Sequence, residues 1–362
     1  MNKEKKLPGL RFPGFDGEWE EKKIIDVAPL QRGFDLPKSE MLKGDYPVVM
    51  SNGINGYHYK FKAKAPGVVT GRSGTLGNLN YIESNYWPHN TTLWVTDFKG
   101  NNPRYIYYMY QKLDLVRFGT GSGVPTLNRN DVHDTRIFIP NHEEQCNISL
   151  FLCSLDKLIA LHQQKLTHLQ ERKKGLLQKM FPKAGEKVPE LRFPGFSGDW
   201  EEKKLGEVAI VNSGRDYKHL NNGTVPVYGT GGYMLSVDDA LSYDTDGIGI
   251  GRKGTIDMPF ILRAPFWTVD TLFYVIPKNN FDLDYLYAVF QNINWKKLDE
   301  STGVPSLSKT TIVNVSQAFP IFKEQQKIGT FFKKIDNSIL LQQQKLEHLK
   351  DRKKALLQQM FV

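Results

Sequence analysis

Two stretches of this chain place apolar side chains at alternating steps of four and three. In the first, Leu155, His162, Leu169 and Leu176 occupy one core position, and Ile159, Leu166, Lys173 and Met180 occupy the other. In the second, Ile335, Gln342, Leu349 and Leu356 alternate with Ile339, Leu346, Lys353 and Met360, 180 residues further on. So narrow a stripe predicts a helix that pairs with another along its length. Asn141, with Glu144 three residues on, resembles a capping box at the first helix's start. Pro182 stops it. His162, Gln342 and the two lysines are polar intruders that fix register at some cost in stability. Packing of each helix on its own domain is the weaker alternative, since each is too long for a small domain to cover.

Ahead of each helix the period changes. "YPVVM", "APGVVTGRSGTL", "TTLWVT" and "TRIFIP" are short runs of β-branched and aromatic residues bounded by Gly, Asn and Pro, which reads as strands. "VPVYGTG", "GIGIGRKGTI", "DTLFYVIP" and "VSQAFPIF" answer them in the other half. Shorter helices are expected around residues 104–115 and 283–298. Each half is therefore a small α+β domain.

The halves are copies. "LRFPGFDGEWEEKK" at Leu10 returns at Leu191 as "LRFPGFSGDWEEKK", "GRSG" at Gly71 as "GRKG" at Gly251, and "SGVPTL" at Ser122 as "TGVPSL" at Thr302. A period near 180 is too long for a solenoid and means two domains, each followed by a helix. The expected division is 1–142, a first domain; 143–182, a central helix; 183–322, a second domain; and 323–362, a terminal helix. With a domain at each end of the pair, the helices must run antiparallel, giving a nearly closed ring with pseudo-two-fold symmetry. About 40 residues make a rod of roughly 60 Å at most.

Composition adds a partner. The 362 residues carry a net charge of +9, which suits a polyanion. No apolar run is long enough to span a membrane, and "MNKEKKLPGLRFPGF" lacks the apolar core of a signal peptide. Two cysteines cannot build a disulfide framework. A reducing cytoplasm is expected.

Two domains held a fixed distance apart in a basic protein suit a polymer read at two places, here duplex DNA with unlike half-sites. Phosphate contacts need cations and backbone N–H groups in open loops. The glycine turns offer Arg72 and Ser73 in one half, Arg252 and Lys253 in the other; plain hairpin chemistry accounts for them equally. Base edges need amides and hydroxyls. Ser51, Asn52, Asn55 and His58 supply these in "SNGINGYH", and Thr230 and Tyr233 in "TGGYMLS". Arg129 and Lys309 end two further loops. Asn and Gly are also ordinary turn residues.

Enzymatic signatures are missing. There is no G-x4-G-K-[ST] loop and no [DN]-P-P-[YFW] tetrapeptide, and the eight histidines show no metal-ligand spacing. Glu20-x-Lys22 and Glu201-x-Lys203 loosely fit the end of a nuclease metal site. A metal-dependent nuclease and a scaffold that binds only protein stand as the alternatives to a non-catalytic DNA-binding subunit.

The repeated "LRFPGFxGxWEEKK", the glycine turns, the "E-Q-x-x-I…K-K-x-L-L-Q-x-M-F" helices and the twofold layout resemble the DNA-specificity subunit of type I restriction–modification systems. The resemblance covers essentially the whole chain. It implies two target recognition domains, each reading half of a split double-stranded target, and an antiparallel helical spacer that docks two modification subunits. It implies no cofactor in this chain, S-adenosylmethionine in the modification subunits, and ATP and Mg in the restriction subunits of the full complex. It does not identify the base-contacting residues.

Overall fold

The computed structural model describes residues 7–121, 125–183 and 185–362. Residues 122–124, at the start of the first "GVP" loop, residue 184 in the connecting segment, and residues 1–6 of the N-terminal segment lie outside the described residues. The chain forms two compact units, residues 1–163 with 345–362, and residues 164–344.

In the first unit, β1 (Glu20–Lys23), α1 (Ile24–Val27) and β2 (Leu30–Arg32) precede a hairpin of β3 (Tyr46–Met50) and β4 (Gly53–His58). Next come β5 (Gly67–Gly71), β6 (Leu79–Ile82), β7 (Trp87–Pro88), β8 (Thr92–Val95) and α2 (Pro103–Leu113). The last elements are β9 (Gly119–Thr120), β10 (Thr126–Leu127), α3 (Arg129–His133), β11 (Arg136–Ile139) and the start of α4 (His142–Met180). An antiparallel sheet of order β2-β8-β5-β6 adjoins a small sheet β4-β3-β7, and β1 pairs with β11. β5 is buried along its whole length, which the run "GVVTG" permits because nothing on either face is charged. Helix α2 starts where Asn102 accepts hydrogen bonds from the Arg104 and Tyr105 amides, with Pro103 at its first position.

The second unit repeats this order. It comprises β12 (Glu201–Lys204), α5 (Leu205–Val208), β13 (Ala209–Ser213), β14 (Asn222–Gly229), β15 (Gly232–Val237), β16 (Gly247–Gly251) and β17 (Phe260–Leu262). β18 (Trp267–Thr268), β19 (Leu272–Pro277), α6 (Leu283–Asn292), α7 (Lys309–Asn314), β20 (Ser316–Phe319) and the start of α8 (Phe322–Met360) complete it. Its sheets, β13-β19-β16-β17, β15-β14-β18 and β12-β20, match β2-β8-β5-β6, β4-β3-β7 and β1-β11, while the short β9–β10 pair of the first unit has no strand counterpart among the described residues. The α+β class and the duplication read from the sequence are those of the structure.

Helices α4 and α8 each run for 39 residues. Within the first unit, Ile148 and Leu152 of α4 share a core with Leu357 and Met360 of α8, and Asp156 meets Lys353 at 2.6 Å. Numbers rising along one helix fall along the other, so the two run antiparallel. The second unit packs Leu177 and Met180 of α4 with Ile328 and Phe332 of α8 in the same sense. Every apolar seam position, with His162 and Gln342, is buried or half-buried.

The seam lysines have defined partners. Lys353 also lies over the Tyr108 ring, whose hydroxyl donates to Asp156 at 2.7 Å. Lys173 pairs with Asp336, donates to Gln291 at 2.6 Å and lies over Tyr287. Burial pushes the Lys173 ammonium below its ordinary value, and Asp336 partly restores it. Burial pushes the Tyr287 phenol up to about 12.

The capping box at Asn141 is half formed. The Asn141 side chain accepts the Glu144 amide at 2.9 Å. The Glu144 carboxylate does not reach back, because Arg11 takes both its oxygens.

Candidate nucleic-acid interface

Three loops of the first unit meet at one edge. The β3–β4 hairpin turns at Ser51 and Asn52, and the Ser51 carbonyl accepts from the Asn78 side chain at 3.2 Å. The turn after β5 lies beside it. A Cβ at Gly71 would stand 1.9 Å from the Thr75 carbonyl oxygen, and Gly74 has φ +81°. Both positions therefore require glycine. The third loop is stitched to that turn: the Leu127 amide donates to the Arg72 carbonyl at 2.7 Å, and Ser73 bridges Thr126.

The second unit builds the same frame from other residues. A Cβ at Gly251 would stand 2.1 Å from the Thr255 carbonyl oxygen, and Gly254 has φ +89°. The Leu307 amide donates to the Arg252 carbonyl at 3.0 Å, and Lys253 bridges Ser306. Thr91 and Thr271 are equivalent anchors, whose carbonyls accept the Arg72 and Arg252 amides at 2.8 Å.

The frame gathers most of the sequence-predicted residues. Arg72 and Arg129 line one cleft of about 410 Å³ in the first unit. Asn128 caps α3 and so fixes Arg129 at its first turn. Ser308 likewise caps α7 by accepting the Thr311 amide at 3.0 Å, which places Lys309 at the start of that helix. Arg252, Lys253 and Lys309 are exposed. Asn52 and Asn55 are exposed and hydrogen-bonded to each other. Thr230 lies at the equivalent hairpin tip, its hydroxyl 3.8 Å from the Cβ position of Gly254. Tyr233 follows on β15, 64% exposed, its hydroxyl 3.2 Å from that of Ser236.

His58 is placed differently. It ends β4 only 4% exposed, edge-on to Trp87 with ring centroids 5.2 Å apart. Its ring is a packing element beneath the surface, not a side chain presented to a groove.

Sequence reasoning passed over Arg32, which lines the same cleft as Arg72 and Arg129. It sits at the end of β2 opposite Leu93, and its counterpart, opposite Phe273 on β13, is Ser213. Nothing local marks Arg32; only the strand order brings it to the glycine turn. Beneath this cluster the His133 Nε2 accepts the Leu30 amide at 2.8 Å. Burial, with Arg129 adding to it, pushes His133 below the usual histidine value and keeps it neutral.

The E-x-K pairs lie on exposed ribbons where each lysine is bound by its own glutamate, Lys22–Glu20 at 2.9 Å and Lys203–Glu201 at 2.6 Å. Among the described residues no three His, Cys, Asp or Glu side chains converge as metal ligands. The chemistry this edge offers is binding: cations and backbone amides for phosphates, amides and hydroxyls for base edges.

Residues 16–171 and 197–351 each match the family described as the type I restriction modification DNA specificity domain. A specificity subunit of the type I restriction enzyme MjaVIII, from Methanocaldococcus jannaschii, is 23% identical over 295 residues, covering 70% of this chain and 68% of that protein. Among solved structures, the type I restriction–modification S subunit from M. genitalium superposes with a TM-score of 0.72 at 18% identity, covering 98% of this chain and 99% of that one. A chain from a structure addressing complex assembly and conformational transition of a type I system gives 0.54 at 15% identity, with 97% and 98% covered. At these identities the structural likenesses show the fold.

Proposed function

This chain belongs to the type I restriction modification DNA specificity family and carries two of its domains, and on that footing we propose how they divide the work. It is the sequence-recognising, non-catalytic component of such a system. Residues 1–142 and 183–322 are two target recognition domains, each reading one half of an asymmetric split target. Residues 143–182 and 323–362 are the spacer that sets the unread gap.

The observation that carries this reading is the three-loop edge, built on one backbone frame in both units but bearing different side chains. Arg32, Arg72 and Arg129 in one correspond to Ser213, Arg252 and Lys309 in the other. A common frame keeps the same approach to phosphates, while unlike side chains read unlike bases. Each long helix extends about 58 Å. That exceeds the roughly 34–36 Å between half-sites one helical turn apart.

Apolar side chains off the seam support protein partners. Leu161 and Leu341 hold equivalent positions on α4 and α8 and are 60% and 65% exposed. Two equivalent exposed leucines suit two copies of one partner, the modification subunit, with restriction subunits joining in the full complex. S-adenosylmethionine, ATP and Mg would serve in those partners. Among the described residues no helix is long and apolar enough to cross a membrane, and a DNA-directed role suits the cytoplasm.

Single-molecule methylation sequencing of DNA modified by the reconstituted complex tests this reading. A split motif with two unlike halves and a constant gap is expected. A continuous or palindromic motif would contradict it.

A further inference from the structure

The first unit carries a second cleft, of about 700 Å³, away from the arginine cluster. One wall is the "YKFK" segment after β4, with Tyr46 and Trp87; the other is residues 36–42, including Glu40. Tyr59 and Phe61 are 48% and 37% exposed. Tyr46 meets Phe61 edge-on at 4.9 Å between centroids. The Lys62 ammonium lies over both Phe34 and Trp87, at 5.5 and 5.3 Å from the ring centroids, and Lys60 lies over Tyr59. The buried His58 ring lies beneath this wall, edge-on to Trp87, and packs the cleft from below.

The corresponding segment of the second unit has a different composition. Strand register aligns His58 with Val237, and the isolated bridges of Ala63 and Ser242 align the far ends of the two segments. Tyr59-Lys60-Phe61-Lys62 then aligns in sequence with Asp238-Asp239-Ala240-Leu241. Two exposed aromatics and two cations in one copy stand where the other has two acids and two aliphatics. The fold does not need this composition, because the second copy folds without it.

We propose that this cleft binds a single unstacked nucleotide of a DNA strand. Exposed aromatic faces interleaved with lysines are the chemistry of single-strand binding: rings stack on any base, and cations hold the flanking phosphates. An acidic peptide would satisfy the lysines but leave the Tyr59 and Phe61 rings without a counterpart. The cleft's size falls within the range of small-ligand sites. The proposal rests on the DNA-binding reading above and adds to it an asymmetry: the first domain engages an unpaired or extruded nucleotide, the second does not.

The test is anisotropy titration of the full chain with a labelled short oligothymidylate, alongside duplex binding by the assembled complex. Tyr59→Ala, Phe61→Ala and Lys62→Ala should each weaken the oligothymidylate roughly tenfold, with the circular dichroism spectrum unchanged. Tyr243→Ala, at an exposed tyrosine of the second unit outside its three-loop edge, should leave that affinity as it was. Unchanged affinity in all three cleft variants would overturn the proposal. So would an acidic tyrosine-containing peptide that binds more tightly than the oligothymidylate and is lost in the same variants. Sequence preference in the duplex arm reads the parent assignment independently, so either can fail without the other.

Discussion

Arg11 clasps Glu144 through two parallel hydrogen bonds, Nε to Oε1 and Nη2 to Oε2, both 2.7 Å. Arg192 clasps Glu324 in the same way at 2.8 Å. Both carboxylates are fully buried at the starts of the long helices, so the duplicated "RFPGF" segment is a strap that pins each helix to its own domain. The next residue completes the joint: Gln145 accepts the Asn102 amide and Gln325 the Asp282 amide, at 2.9 and 3.2 Å.

Removing one partner of such a buried pair leaves an uncompensated charge and costs about 3–5 kcal/mol. Arg11→Met should therefore lower the urea midpoint strongly. The double variant Arg11→Met with Glu144→Leu should recover most of the loss, since it also removes the stranded carboxylate. A double variant no more stable than Arg11→Met would show that the pair is not coupled in this way.

The Lys353–Asp156–Tyr108 joint predicts a smaller effect. Lys353→Ala leaves Asp156 with the Tyr108 hydroxyl alone and should cost about 1.5–3 kcal/mol, the range for a charged hydrogen bond. A double-mutant cycle with Asp156→Ala should give a coupling of about 0.5–3 kcal/mol. Additive effects would show that the joint contributes nothing as a unit.

Phosphate contacts are read by salt. Arg72→Ala, Arg129→Ala and Lys253→Ala should each flatten the log–log salt dependence of DNA binding by about one unit. Arg32→Ala should do the same, while Ser213→Ala in the equivalent place should not. His58→Ala should leave the slope unchanged, because the ring is buried against Trp87. A slope unmoved by all four cationic variants would take this edge out of the interface.

Acidification should weaken the first unit. His133 accepts a backbone amide through Nε2, so protonating it breaks that bond. Burial, with Arg129 adding to it, sets its folded value below the unfolded value of about 6.5. Burial lowers His89 as well. In that window the unfolded chain binds more protons, so stability is fully present above about pH 6.5 and is lost as pH falls through the folded value. Urea midpoints should drop between neutral and mildly acidic pH, and less so in His133→Phe. Constant or rising stability on acidification would contradict this.

What the sequence disclosed depends on the range of the forces involved. The helices, their seam and the repeated strands were legible because each is written in a local period. The Arg11–Glu144 strap was hidden by a separation of 133 residues, and Glu144 read instead as half of a local cap. The loop clusters were legible as loops, since Gly71, Gly74, Gly251 and Gly254 serve backbone geometry directly. That Arg32 joins Arg72 was not, because strand order carries it there. His58 misled because an amide-rich hairpin looks polar throughout, whereas β4 buries its last side chain.

The central claim is that two domains on one frame read separate halves of one target. Its most direct measurement is an exchange of residues 1–142 for the corresponding domain of a homologue, with the modified DNA read by single-molecule methylation sequencing. One half-site should change while the other half and the gap persist. A change in both halves, or in neither, would contradict it.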